Sequence, residues 1–144
     1  MFFTFLTLVA SFTVFTQVLF ISKASAQIKA VMSDQGDNVH LEFSGAEQWS
    51  YKLQKKTIGG KFYAEMLLPA LSPQAKKVLE SFSSKLVPQV TVVQNAEDKA
   101  DLIRFQLAEE EMETFDYLTD QPNRLIVDFY LDEKDANSKA AIQG

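Results

Sequence analysis

The chain has 144 residues, room for one domain, with 14 basic against 19 acidic side chains and a net charge of −5. An acidic chain without a basic stripe argues against nucleic acid or anionic lipid as the main partner. With no cysteine there is no disulfide and no thiolate metal site, so the core alone must hold the fold.

Met1 to Ile21 contains no charged side chain and holds six of the twelve phenylalanines. Lys23 follows, then Ala24-Ser25-Ala26, an Ala-x-Ala cleavage signature ahead of Gln27. The segment 1–26 reads as a cleaved secretory signal peptide. A retained anchor is the alternative, since the run is long enough to span a bilayer, although Thr4, Thr7, Ser11, Thr13, Thr16 and Gln17 dilute it. Either reading puts residue 27 onward outside the cytoplasm. Cleavage would remove Lys23 and take the net charge from −5 to −6.

From Gln27 the dominant pattern has period two, the sign of half-buried strands. Ile28 to Met32 is a first strand and Gln35 to Asn38 a turn. Val39, Leu41 and Phe43 then alternate with His40, Glu42 and Ser44, and Ser44-Gly45 turns the chain. Trp49, Tyr51 and Leu53 alternate with Ser50, Lys52 and Gln54. After a Gly59-Gly60 turn, Phe62, Ala64, Met66 and Leu68 make one face of a strand starting at Lys61.

One helix interrupts the strands. Ser72 suits its N-cap and Pro73 its first turn. Ala75, Val78, Leu79, Phe82 and Leu86 form one apolar stripe, expected to lie across an open end of the β-core, and Pro88 ends the helix. Val90 and Val92 reopen the strand pattern, with Val93 on the other face. After the polar stretch 95–99, Ile103, Phe105 and Leu107 alternate. Glu109 to Glu111 is a charged turn. Phe115 and Tyr117 precede the turn 120–123, and a last strand runs from Arg124 to Tyr130. Residues 132–144 are polar and small and read as a linker or tail.

The two halves look alike. Val39-x-Leu41-x-Phe43, Trp49-x-Tyr51 and Lys61 to Met66 resemble Ile103-x-Phe105-x-Leu107, Phe115-x-Tyr117 and Arg124 to Phe129. Two facing three-stranded sheets would produce this pattern. The expected fold is mostly β: a small two-sheet sandwich over 27–131 with one helix in its central connection, preceded by the signal helix of residues 1–26.

Catalytic signatures are absent. The single histidine, His40, falls on the polar side of its strand and reads as exposed and without a role. No Gly-x-Ser-x-Gly accompanies it and no Gly-rich phosphate loop exists. Glu109, Glu110, Glu111, Glu113 and Asp116 are clustered, but their spacing fits no Ca²⁺ loop. Glu65 and Asp128 occupy matching places in the two halves and are the one carboxylate pair to weigh for glycoside hydrolysis, with the solvent faces of their strands as the simpler reading. No cofactor and no metal is expected.

Aromatic side chains on a β-surface stack on sugar rings, and Trp49, Tyr51, Phe115 and Tyr117 are the residues to weigh, against core packing for Trp49 and Tyr51. Arg124 opens the last strand just after a turn, where its guanidinium reaches solvent and pairs well with carboxylates, or bridges locally to Asp128 or Asp120. The candidate ligand-binding residues are therefore Arg124, Tyr117, Tyr51 and Trp49.

The closing stretch, a turn with Pro122 followed by Arg124-Leu125-Ile126-Val127-Asp128-Phe129, resembles the closing strand of AMIN domains. Phe115 and Leu118 fall where that family has its preceding apolar strand, and Val39-x-Leu41-x-Phe43-Ser44-Gly45 resembles its opening unit. The resemblance covers roughly Ile28 to Leu131. It implies a sandwich of two small sheets and a non-catalytic module that binds peptidoglycan or holds a protein at a site in the periplasm or cell envelope. The helix from Ser72 is longer than the family's usual link, and the 144 residues themselves hold no amidase or secretin domain. The expected function is a peptidoglycan-binding module, with a periplasmic protein–protein adaptor as the alternative. Peptidoglycan or envelope proteins are the expected partners, with no nucleic acid, and membrane only through residues 1–26.

Overall fold

A computed structural model describes residues 27–69, 71–94 and 100–132. The expected signal helix, the loop at 95–99 and nearly all of the expected tail lie outside them. Eight strands and one helix follow in the order β1 (Lys29–Asp34), β2 (Asn38–Ser44), β3 (Lys52–Ile58), β4 (Lys61–Pro69), α1 (Pro73–Ser81), β5 (Gln89–Gln94), β6 (Ala100–Leu107), β7 (Met112–Thr119) and β8 (Arg124–Leu131). They form two antiparallel four-stranded sheets, β1-β2-β8-β7 and β3-β4-β6-β5, referred to below as the first and second sheet.

The topology has a pseudo-two-fold order. Replacing β1 to β4 by β5 to β8, and the reverse, carries one sheet onto the other. Each half of the chain therefore gives one hairpin to each sheet. This corrects the expectation of two three-stranded sheets: β1 and β5 add a strand to each, and the strands of one half are divided between the sheets. It also corrects one equivalence. Trp49 and Tyr51 precede β3, whereas Phe115 and Tyr117 lie inside β7. Matching the β3–β4 register to the β7–β8 register sets Tyr117 against Lys56, not Tyr51.

The inner faces of both sheets supply the core. Val39, Leu41, Phe43, Ile103, Phe105, Leu125, Val127 and Phe129 are fully buried, as their alternation predicts, and Phe105 of the second sheet meets Phe129 of the first with ring centroids 4.7 Å apart. The two-residue turn Gly59-Gly60 has positive φ at both positions, which suits the twist of the β3–β4 hairpin.

The helix starts as predicted. Ser72 Oγ accepts the Ala75 N–H at 3.0 Å, and Pro73 follows the cap. It stops at Ser81, well before Pro88, because the serines after it bond to nearby backbone instead of continuing the helix. Ser84 exchanges backbone and side-chain bonds with Val87, and Ser83 Oγ donates to Pro88 O. Ala75 and Leu79 are buried, and α1 packs on β1 and β5. The stripe thus closes the side between an edge strand of each sheet rather than an end of the core. Asp101, buried on the inner side of β6, ties this side together: its Oδ2 accepts the Leu71 N–H at 2.8 Å, and its Oδ1 lies 3.5 Å from Lys76 Nζ.

Candidate functional site

Strand register places a line of chemistry on the outer face of the first sheet. Residues directly opposite in a ladder share a face. Ser33, His40, Asp128 and Phe115 form one row across β1, β2, β8 and β7; Val31, Glu42, Ile126 and Tyr117 form the next; Lys29, Ser44, Arg124 and Thr119 the third. The aromatic pair stands on the edge strand β7. Phe115 is 56% and Tyr117 39% exposed, with ring centroids 5.6 Å apart. Ile126 sits at the centre of this face yet is buried, so its neighbours close over it.

A chain of alternating charge runs beside the rings. Arg124 Nη1 lies 3.3 Å from Glu42 Oε2. Glu42 Oε1 lies 3.0 Å from His40 Nε2, and His40 Nδ1 lies 2.6 Å from Asp128 Oδ1. The sequence leaves Arg124 either reaching solvent or bridging locally to Asp128 or Asp120. Glu42 takes it instead, because it lies diagonally across the ladder from Arg124, while Asp128 is four residues along β8 and already engaged by His40. His40 is likewise not a free surface histidine. It is partly buried between two carboxylates, and both ring nitrogens face acceptors, so each must carry a proton to satisfy them. Partial burial pulls its pKa down, but the hydrogen bonds and charges of Glu42 and Asp128 outweigh that, and the net shift is upward.

Of the four residues singled out by sequence, Arg124 and Tyr117 come together on this face. Trp49 and Tyr51 do not join them. They lie in the crossover from β2 to β3 and pack partly buried against the core. Trp49 Nε1 donates to Asn123 Oδ1 at 2.7 Å, while Asn123 Nδ2 donates to the carbonyls of Ala46 and Glu47. The Tyr51 hydroxyl donates to Asp116, a bond that together with burial pushes its pKa up to about 12. These two rings stitch the crossover to the β7–β8 hairpin. Trp49 has no alternating ladder partner to place it, and its hydrogen-bonding end is satisfied within the fold.

Sequence reasoning missed His40 and Glu42. The signal was present in part: period two puts both on the polar side of β2. Their partners across the ladder depend on register, which the sequence alone does not give.

Glu65 and Asp128 are not a catalytic pair. They lie on the outer faces of different sheets, pointing away from each other, so their separation exceeds the roughly 10 Å between packed sheets and the ~6.5–9.5 Å of an inverting glycosidase. Glu65 also departs from its expected solvent exposure. It is 4% exposed, with Lys56 Nζ 3.3 Å from Oε1 and Arg104 Nε 3.5 Å from Oε2. Among the described residues no group of three or more His, Cys, Asp or Glu side chains is arranged to hold a metal ion.

No family model matches the chain, and no curated protein matches it.

Proposed function

We propose that this domain is a non-catalytic binding module of the cell envelope that takes peptidoglycan on the outer face of the first sheet. The observation that carries the reading is the exposed Phe115–Tyr117 pair beside Arg124. Two neighbouring rings on a sheet surface offer a platform for sugar faces. The guanidinium of Arg124, held from one side by Glu42, suits the carboxylates of stem peptides. The resemblance of Arg124 to Phe129 to the AMIN closing strand and the Ala24-Ser25-Ala26 signature support the periplasmic setting.

The test is co-sedimentation of the full chain with purified sacculi. Wild-type protein should pellet with them. Phe115→Ala/Tyr117→Ala and Arg124→Ala should each weaken binding while thermal melting stays within a few degrees, since both changes are on the surface. A second reading, a protein–protein adaptor, is favoured by the open edge of β7, where Leu118 is also exposed. Failure of the wild-type protein to pellet, or normal pelleting of both variants, would overturn the peptidoglycan reading and leave the adaptor.

A further inference from the structure

The outer face of the second sheet has a charge of its own. Its outward strand positions carry Lys52, Lys56, Lys61 and Arg104 against one acid, Glu65, although the whole chain is acidic. The matching face of the first sheet is balanced, with Lys29, His40 and Arg124 against Glu42, Glu113 and Asp128. The basic stripe that the composition hides is therefore built by the β3–β4 hairpin and β6, and it concentrates positive potential on one side of an acidic molecule.

A depression of about 140 Å³ opens on this face, lined by Ile58, Tyr63, Gln89, Thr91, Arg104 and Gln106. The ladder explains why five of these converge. Tyr63, Gln106 and Gln89 stand in one row across β4, β6 and β5, and Arg104 and Thr91 are opposite each other in the next. Glu65, buried beside Arg104, has its Oε2 on the guanidinium Nε, and its Oε1 accepts no hydrogen bond from the described residues despite the nearby Lys56. Glu65 thus anchors one edge of the guanidinium at the rim of the depression. The pseudo-two-fold strengthens the point. Arg104 and Glu65 occupy the places that His40 and Asp128 hold on the first sheet, so each sheet carries a cation–carboxylate pair at the middle of its outer face.

We propose that this depression binds the carboxylate of an acidic sugar residue in a polysaccharide. Arg104 meets the carboxylate. Gln89, Thr91 and Gln106 supply amide and hydroxyl partners for sugar hydroxyls, and Tyr63 gives the ring a wall. A planar guanidinium matches a carboxylate better than an ammonium does, and an aromatic wall with side-chain amides suits a polyhydroxylated ring more than a bare phosphate. The site is open to solvent, and Lys56 and Lys61 continue the positive charge toward the hairpin tip, where further acidic units of the polymer would lie. This site uses a different sheet from the proposed peptidoglycan face.

The experiment is affinity electrophoresis of the full chain in gels containing polygalacturonate, its methyl ester or polyphosphate. Polygalacturonate should retard the protein. The methyl ester should retard it at least about tenfold less, the scale of losing one charge-assisted hydrogen bond at a solvent-facing site. Arg104→Gln should weaken retardation to a similar degree. Thr91→Glu, an exposed position two strands from Glu65, puts a competing carboxylate into the depression and should abolish it. Tyr117→Ala should leave it unchanged, and Thr91→Glu should leave sacculus sedimentation unchanged, which separates this site from the first. If Arg104→Gln fails to fold, Thr91→Glu decides. Equal retardation by the ester, unchanged retardation of Thr91→Glu, or polyphosphate retarding as strongly as polygalacturonate would each overturn the proposal.

Discussion

Replacing Phe129 by alanine tests the assignment of sheets and faces at its most constrained point. Phe129 lies near the end of β8 in the first sheet, is fully buried, and its ring meets Phe105 of the second sheet at 4.7 Å and an interplanar angle of 44°. The side chain therefore bridges the two layers. Truncation removes its transfer free energy and leaves a cavity between the two sheets, and it should cost about 3–5 kcal/mol. Loss of the tilted ring pair accounts for roughly 0.5–1.5 kcal/mol of that. Against a total of about 5–15 kcal/mol for a domain of this size, the variant should remain folded but move well down a urea curve. Phe115→Ala is the matched control: the same residue type on the neighbouring strand, turned to solvent, expected to change stability by less than about 1 kcal/mol. Urea unfolding followed by tryptophan fluorescence gives both values, with an unchanged slope required for the comparison. A loss below about 1 kcal/mol for Phe129→Ala, or a larger loss for Phe115→Ala, would mean that β8 presents its other face to the core.

Gly45 has φ +101°, and a Cβ there would sit 2.7 Å from the Gln27 carbonyl oxygen, so Gly45→Ala should cost at least about 1–3 kcal/mol in the same assay, whereas a neutral result would show that the chain before β1 yields freely. Asp101→Ala strips the buried Leu71 N–H of its acceptor and Lys76 of its partner, and should cost about 1–3 kcal/mol; an unchanged urea midpoint would remove Asp101 from the account of how α1 is held. His40 has a folded-state pKa raised above its ordinary 6.5, so the stability it contributes is fully present below that value and is lost as pH rises through the folded value. Wild-type protein should therefore exceed His40→Gln most at a pH of about 6 and least at about 9, and a margin that grows with pH would refute the double-carboxylate clamp.

The inner faces were legible because a strand with one buried face writes its burial directly into every second residue. Val39, Leu41 and Phe43, or Leu125, Val127 and Phe129, need no partner to be recognised. The cap of α1 was legible for a similar reason, since Ser72-Pro73 acts within one turn. The end of α1 was not. Phe82 and Leu86 keep helical spacing while Ser83 and Ser84 take the backbone elsewhere, and spacing alone cannot weigh those local bonds. The strand around Trp49 failed differently. Trp49 and Tyr51 alternate as strand residues do, but they belong to a crossover whose bonds go to Asn123 and Asp116, some 65 to 74 residues away.

Outer faces are harder to read than inner ones, because their chemistry depends on which strand lies alongside. His40 and Glu42 on β2 look like ordinary solvated residues until β8 is set beside them and supplies Asp128 and Arg124. Glu65 looks solvated until β3 and β6 bring Lys56 and Arg104 over it. The sequence repeat holds the missing relation, since it pairs Glu65 with Asp128 and the β6 pattern with that of β2. What period two could not convey is that equivalent strands fall on opposite sheets. That separation makes Glu65 and Asp128 useless as a catalytic pair. It also gives each of them a basic neighbour on its own face, so one repeat yields two outer surfaces with the same central pair. Their surroundings then differ: exposed rings with balanced charge on the first sheet, a polar depression with excess positive charge on the second. Two surfaces so unlike in charge and aromatic content suit different ligands, so if the two proposed sites hold, a single-face disruption on either sheet should leave the other's binding intact.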